Sequence, residues 1–331
     1  MKAFAVRKYG EPVVQIQAPE PAVGAGDVLV EMVAAGVNQT DERLRSGGFK
    51  QILPFDLPLI LGSDIAGRVV AVGEKVSGFT AGDEVFAFPG MDRVGTFADR
   101  VAVNADSVAR MPTSLSFAEA ASLPVVALTA WQILAERGRI GPGHTVLIHG
   151  GAGGVGSIAI QVAKHLGATV ATTASASSAD FVRELGADIV IDYRDQDFEQ
   201  LLGDVDLVLD NQGGQTLMKS LRVLRRGGKV FGIADPPDPA FADRIGANPV
   251  VALTIRAMSS KVRRQARRQG VSYEFYFVHP DGGQLRQIGE LIDDGALRPI
   301  VDRVLPFDQT PHALQALTAG GVHGKIVVSR Q

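Results

Sequence analysis

The sequence predicts an α/β protein in which a doubly wound parallel sheet is inserted into a second, β-rich domain. Three observations predict it. From about residue 125 to 279, short apolar runs alternate with helical stripes. A glycine-rich loop, Gly151-Ala152-Gly153-Gly154-Val155-Gly156, joins one of those runs to the stripe that follows it. On either side, the chain opens with short β-rich runs punctuated by Gly, Pro and Asp and ends on another such run. A chain of 331 residues has room for two domains of ordinary size.

In chain order, Val28–Val33, Gly67–Gly73 and Asp83–Phe88 are the clearest strands of the first segment, residues 1–124, and suggest a rolled antiparallel β domain. In the second segment, 125–279, Thr145–His149 is a strand running into the glycines. Val155, Ile158, Ala159, Val162, Ala163 and Leu166 then share one helical stripe, and Gly167 closes it. Thr169–Thr172, Asp188–Ile191, Val205–Leu209 and Lys229–Ile233 read as buried parallel strands, and Val271–Val278 as the sixth. In the third segment, 280–331, Leu285, Ile288, Leu291 and Ile292 mark a helix. Thr310-Pro311 reads as an N-cap with proline at N1, and Lys325–Val328 is a last strand. This tail is expected to pack back on the first segment, making that domain discontinuous.

Bulk composition narrows the function classes. Net charge is −3, from 33 basic and 36 acidic residues, which gives no support to binding nucleic acid or a membrane surface through bulk charge. No apolar run approaches the ~20 residues of a membrane helix. The N-terminus meets charge at once and lacks a signal-like stretch, so a cytoplasmic location is the default expectation. Cysteine is absent, which removes disulfides, thiolate nucleophiles and Cys-ligated metals. The six histidines show no H-x-x-x-H spacing.

The glycine loop matches G-x-G-x-x-G, and its place between a strand and a helix is the context that gives the pattern meaning. Glycines let backbone N–H groups and a helix N-terminus approach a pyrophosphate, so the expected ligand is a nicotinamide dinucleotide. An NAD site calls for Asp or Glu about 20 residues on, at the end of the second strand. Here the chain reads Thr172-Thr173-Ala174-Ser175-Ala176-Ser177-Ser178, with no acid until Asp180. NADP is therefore the expected cofactor, with Ser175 and Ser177 at the 2′-phosphate. Its cation would have to come from Arg183 or Arg194.

At this point the chain resembles the medium-chain dehydrogenase/reductase superfamily, on its zinc-free, quinone-oxidoreductase-like branch. The residues that carry the resemblance are Gly36-Val37-Asn38-Gln39-Thr40-Asp41, Leu61-Gly62-Ser63-Asp64-Ile65-Ala66-Gly67, Ala81-Gly82-Asp83-Glu84-Val85, Leu128-Thr129-Ala130-Trp131, the glycine loop, Leu185-Gly186-Ala187-Asp188 and Gly324-Lys325-Ile326-Val327. The resemblance implies a Rossmann domain joined to a GroES-like catalytic domain, with the active site in the cleft between them, and a homodimer. Zinc members hold the metal with a Cys, a Gly-His-Glu motif and a further Cys or Asp. This chain has Asn38 near the first of those positions and Ser63-Asp64 in place of His-Glu.

The same resemblance implies roles by position. Asn38 is the substrate-side polar group, either donating to a carbonyl oxygen or tying down a loop. Thr129 lies beside the nicotinamide and phosphates, Tyr193 near the adenosine ribose, Lys325 near the cofactor. Gly232 and Ile233, with Phe277 and Val278, line the nicotinamide ribose and amide. Branch members often carry tyrosines around the stretch 41–49, where this chain has Arg43 and Phe49 and no tyrosine between Tyr9 and Tyr193. Arg43 either steadies an oxyanion or is a solvated arginine. Phe49, Ile52, Leu53 and Phe55 would give an apolar wall suited to a hydrophobic small-molecule substrate.

Without a metal Lewis acid, oxidising an unactivated alcohol is hard, whereas hydride transfer to a quinone or a carbonyl-conjugated alkene remains feasible. The expected function is an NADPH-dependent reductase of such acceptors. A crystallin-like or regulatory NADPH-binding protein with little turnover is the alternative from another class. One run, Lys261, Arg263, Arg264, Arg267 and Arg268, is not absorbed by either reading; it fits a solvated helix face, or contact with RNA or an acidic partner.

Overall fold

A computed structural model describes residues 1–50, 55–234 and 236–331. The chain forms two compact units, Met1–Leu128 with His279–Gln331, and Thr129–Val278. In chain order the first unit carries β1 (Lys2–Val6), β2 (Val14–Gln17), β3 (Asp27–Val37), α1 (Gln39–Arg45), β4 (Leu59–Ile60), β5 (Ile65–Val72), β6 (Glu84–Ala87), β7 (Arg100–Asn104), β8 (Val108–Arg110) and α2 (Phe117–Ala121). Helix α3 (Pro124–Trp131) leads into the second unit and continues as a π-helical turn, Gln132–Arg137. There follow β9 (Thr145–Ile148), α4 (Gly154–His165), β10 (Thr169–Ala174), α5 (Ala179–Glu184), β11 (Ile189–Asp192), α6 (Phe198–Leu201), β12 (Val205–Asp210), α7 (Gly214–Val223), β13 (Leu224–Gly232), α8 (Pro239–Arg244), α9 (Pro249–Met258), α10 (Ser260–Gln269) and β14 (Ser272–Phe275). The chain then returns to the first unit with α11 (Gly282–Asp293), β15 (Val301–Pro306), α12 (Thr310–Ala319) and β16 (Lys325–Ser329).

The second unit is a six-stranded parallel sheet in the order β11-β10-β9-β12-β13-β14. This is the doubly wound 3-2-1-4-5-6 order, whose direction reverses between β9 and β12, where such sheets bind ligands at the strands' carboxyl ends. The apolar runs of β9 and β12 are buried as expected of central parallel strands. Helix α4 buries Ile158, Ala159, Val162 and Ala163, and Gly167, at φ +86°, ends it in the left-handed region.

In the first unit, β1 pairs with β2 and β4. A seven-stranded sheet runs β15-β16-β3-β5-β6-β8, with β7 also on β3. Strand β16 pairs antiparallel with β3, setting Ile326 opposite Val37 and Val327 opposite Gly36. The C-terminal strand thus rebuilds the sheet begun by the N-terminal segment, and its register brings Lys325 to the end of β3 where Asn38 begins.

Two local expectations are corrected. The sixth strand is half the predicted length, because β13 ends at Gly232, the partner of Phe275. Beyond it Tyr276 donates its N–H to the Gly232 carbonyl and the chain leaves the sheet. Thr310 is the first helical residue, not the cap. Its hydroxyl donates to the Phe307 carbonyl at 2.6 Å, closing the 3-10 turn before α12, and Gln309 is the N-cap. Among the described residues no helix is long and apolar enough to cross a membrane.

Candidate functional site

The loop between β9 and α4 is built so that backbone reaches close to whatever it binds. A Cβ on Gly156 would overlap the Gly150 carbonyl oxygen, and one on Gly151 would overlap the Thr172 hydroxyl. These two glycines allow the tight turn and the close packing of helix against strand. Gly153 is the N-cap of α4, in extended conformation, with Gly154 and Val155 opening the helix. Their N–H groups belong to the first turn, which has no intrahelical partner and carries the positive end of the helix dipole. An anionic pyrophosphate fits that donor set.

Beneath the loop lies a buried relay that the glycine pattern did not announce. His149 is 1 % exposed, with Nδ1 at 3.1 Å from Thr173 Oγ1 and Nε2 at 2.9 Å from Ser220 Oγ. The Gly150 N–H donates to Thr173 Oγ1 at 3.1 Å. With Thr173 donating to Nδ1 and Nε2–H donating to Ser220, one neutral tautomer satisfies the network. Burial holds the His149 pKa down, to about 4. The relay ends at Asp210, whose Oδ1 accepts N–H groups of Gln212 at 2.9 Å and Gly213 at 2.6 Å, and whose carboxyl is pushed up by burial. It joins the two strands that flank the switch point, β9 and β12. The one sequence signal for it was a histidine immediately ahead of the glycines.

At the end of β10, Ser175 Oγ lies 3.0 Å from both Ser177 Oγ and Ser178 Oγ, so the two predicted residues form one hydroxyl cluster. A carboxylate is nevertheless present there. Asp192, opposite Ala174 in the neighbouring strand β11, accepts the Ala176 N–H at 3.0 Å and the Arg194 N–H at 3.0 Å. It arrives from the third strand, so the sequence of the second strand does not contain it. Arg183 pairs with Asp180 at 2.9 Å, while the Arg194 guanidinium lies 5.6 Å from the Tyr193 ring centroid; Tyr193 itself is 58 % exposed.

On the other side of the switch point, Gly232 ends β13 with its Cα facing the Tyr273 ring, and the Ile233 N–H donates to the Asp210 carbonyl at 2.9 Å. Phe277, half-buried beside Val278, packs its ring on Phe241 at 5.2 Å. Thr129 is buried in α3.

The first unit holds Asn38, one of the predicted substrate-side residues, in a buried polar cluster. Asn38, at the junction of β3 and α1, donates its amide to Asp64 Oδ2 at 2.8 Å and its backbone N–H to Asp41 Oδ2 at 2.8 Å. Ser63 Oγ donates to Asp41 Oδ1 at 2.9 Å. Lys325 Nζ donates to Asn38 Oδ1 at 2.5 Å and to Asp64 Oδ2 at 2.9 Å. The other oxygen of Asp64 accepts the Val125 N–H at 2.7 Å. Asp41, Ser63 and Asp64 are fully buried, and Lys325 is 4 % exposed. Burial is the main force on Asp41, raising its carboxyl to about 7 against the pull of the Asn38 and Ser63 donors. Gly36 is required here: a Cβ would meet both the Ala121 carbonyl oxygen and the Asp64 carboxylate.

This donor set does not suit the catalytic zinc of the superfamily. Amide and hydroxyl stand where thiolate and imidazole would, both are committed to protein partners, and an ammonium already supplies the positive charge at Asp64. Among the described residues no cluster of three His, Cys, Asp or Glu side chains could hold a metal ion.

In the last turn of α1, the Arg43 guanidinium lies 5.1 Å from the ring centroid of Phe49, which follows the helix and is buried. Ile52 and Leu53 lie outside the described residues. A tyrosine does reach this loop, from outside the predicted stretch. The Tyr9 side chain packs against Gly47, which adopts φ +81°, and its hydroxyl is 3.5 Å from the Phe55 carbonyl oxygen.

Comparison with known proteins gives these features a lineage. The Alcohol dehydrogenase GroES-like domain family matches residues 24–113, and the Zinc-binding dehydrogenase family matches 185–328. The chain is 34% identical over 353 residues to the mitochondrial NAD(P)H oxidoreductase RTN4IP1 of Danio rerio, covering 99% of this chain and 91% of that protein. It is 33% identical over 344 residues to 2-methylene-furan-3-one reductase of Solanum lycopersicum, covering 99% and 79%. The quinone oxidoreductase of Coxiella burnetii superposes with a TM-score of 0.87 at 29% identity, over 100% of this chain and 99% of that one. The Escherichia coli quinone oxidoreductase complexed with NADPH superposes at 0.82 with 26% identity, over 99% and 100%. A nicotinamide-binding loop, a Rossmann sheet, a GroES-like unit and a metal-unsuited polar cluster therefore occur together in one oxidoreductase lineage, and the chain belongs to the medium-chain dehydrogenase/reductase superfamily, on its zinc-free, quinone-oxidoreductase-like branch.

Proposed function

We propose that the protein is an NADPH-dependent reductase of quinones or α,β-unsaturated carbonyl compounds. The observation that carries this reading is the buried Asn38–Asp64–Lys325 cluster. It fixes an amide, at the position that the resemblance matches to the first zinc ligand, beside a buried ammonium, which suits polarising a carbonyl already conjugated to the hydride-accepting carbon. The names of the tomato furanone reductase and of the two bacterial quinone oxidoreductases support the same acceptor class.

Bound NADPH supplies the hydride. Lys325 and Asp64 hold the Asn38 amide in one orientation. Asn38 Nδ2 spends one N–H on Asp64 and keeps a second for the acceptor's carbonyl oxygen, where negative charge develops as the hydride arrives. The first-turn N–H groups at Gly154 and Val155 bind the pyrophosphate, and the His149 relay keeps the loop in register. Ser175 and Ser177 favour a 2′-phosphate, with Arg194 as the nearby cation; both Asp192 oxygens are partly neutralised by main-chain donors. Thr129, Gly232, Ile233, Phe277, Val278 and Lys325 are proposed to border the cofactor, with Tyr193 at its adenosine end. Arg43 and Phe49 are proposed to face the acceptor, and the proton for the enolate comes from water or a ribose hydroxyl. A homodimer is the proposed assembly.

The test is a panel of quinones, enones and enals assayed with NADPH and with NADH. NADPH oxidation with at least one acceptor class supports the reading. Tight NADPH binding with no oxidation across the panel overturns it in favour of a binding protein without turnover.

A further inference from the structure

Helices α9 and α10 behave as one helical segment with a single break at Ser259, whose backbone (φ −84°, ψ −1°) is close to helical. Their buried residues, Ile255, Ser259, Val262 and Ala266, follow at spacings of four, three and four, so one inner face runs unbroken through both helices. The outer face keeps the same phase. It carries Val250, Leu253 and Ala257 in α9, then Lys261, Arg264 and Arg268 in α10, at spacings of three, four, four, three and four.

That outer face changes chemistry halfway. Val250 is 75% exposed, Leu253 69% and Met258 55%, the first two being the largest exposures among the exposed large hydrophobic residues. Packing within the unit does not account for them, and a contiguous apolar patch of this kind marks an interaction surface. In the second half the exposed side chains are Lys261, Arg264, Arg267 and Arg268. Neither helix contains an Asp or Glu. A surface groove of about 410 Å³ beside these cations is lined by Ser260, Lys261, Arg264, Gln265, Arg268 and Gln269, again without an acid.

We propose that the outer face of α9 and α10 docks on an anionic lipid bilayer. The apolar half enters the acyl boundary and the cationic half engages headgroup phosphates. A segment about 30 Å long, tilted so that its N-terminal half lies deeper, satisfies both. Four basic side chains on such a helix are enough to recognise an anionic leaflet. A second copy of the chain is the poorer occupant: antiparallel pairing would set the cations of one copy against the apolar half of the other and bury charge without a counterion. The net charge of −3, which argued against a membrane surface, is an average that hides this local separation. The proposal stands independently of the reductase reading.

Flotation of the full chain with vesicles tests it, using phosphatidylcholine alone and phosphatidylcholine with one part in three phosphatidylserine. The protein is expected to float with the mixed vesicles, to remain with buffer in the presence of phosphatidylcholine alone, and to be released by high salt. K261E/R264E/R268E is expected to weaken binding on the order of a hundredfold, and L253S/M258S at least tenfold, both with unchanged circular dichroism and melting midpoint. Failure of the wild type to float with the mixed vesicles overturns the proposal, as does undiminished binding by the charge-reversed variant. If the wild type ignores vesicles while L253S/M258S lowers its mass in sedimentation velocity, the face is an interface between copies and the bilayer assignment fails.

Discussion

Replacing Lys325 by methionine keeps an unbranched, flexible side chain one atom shorter and removes the terminal ammonium, with its charge and donors. In the native cluster the ammonium is 2.5 Å from Asn38 Oδ1 and 2.9 Å from Asp64 Oδ2, with the two charged side chains 5% and 0% exposed. The variant leaves Asp64 buried without its counter-charge. Breaking a buried pair from one side costs about 3–5 kcal/mol. Asp64 still accepts from Asn38 at 2.8 Å and from Val125 at 2.7 Å, which places K325M near the lower end, about 3 kcal/mol. In a unit of this size that lowers the melting midpoint by roughly 6–12 °C. D64N in the same background removes the uncompensated charge, so D64N/K325M should recover most of the loss. Urea unfolding of the wild type, both single variants and the double variant gives the coupling, expected at about 2–3 kcal/mol. If K325M costs under about 1 kcal/mol and its effect adds to that of D64N, the ammonium does not organise this cluster, and Asn38 is not held by it.

Further outcomes follow from the same geometry. G156A, whose Cβ would overlap the Gly150 carbonyl oxygen, should abolish NADPH binding measured by fluorescence titration, whereas G153A, with its nearest neighbour at 3.4 Å, should weaken it far less. R194A and S175A/S177A should each raise the Kd for NADPH while leaving that for NADH nearly unchanged; equal effects on both cofactors would remove these residues from the 2′-phosphate site. Two buried groups act on stability with opposite signs. Asp41, raised to about 7, binds more protons folded than unfolded between about pH 4 and 7, so its contribution falls as pH rises; His149, lowered to about 4, does the reverse between about pH 4 and 6.5. Urea midpoints at the two ends of that window should therefore rise with pH in D41N and fall with pH in H149Q, and the same slope in both would contradict the assignment. Finally, Y9F should leave kcat unchanged if the enolate proton comes from water or ribose, and a kcat drop with an enlarged solvent isotope effect would assign it to Tyr9.

What could be read in the sequence was whatever depends on local pattern. The doubly wound parallel sheet followed from apolar runs of the right length, and the glycine loop's place between a strand and a helix from its local pattern. What could not be read depends on strands that are neighbours in space only. Asp192 stands beside the Ser175 cluster because β11 lies in register with β10, so a search along β10 alone finds hydroxyls and no acid. Tyr9 reaches the loop at Gly47 from 38 positions earlier in the chain, so counting tyrosines within the loop misses it. The Asn38 cluster was legible only in part. Its residue types announced that thiolate and imidazole were missing, but not what replaced them. The replacement comes from Lys325, 287 residues away, carried there by the pairing of β16 with β3. The lysine, expected from the sequence near the cofactor, is bonded to the Asn38 amide and to Asp64. Without zinc ligands the chain still has a buried carboxylate, Asp64, to neutralise, and an ammonium from the returning C-terminal strand does so while fixing the Asn38 amide, the group proposed to meet the acceptor.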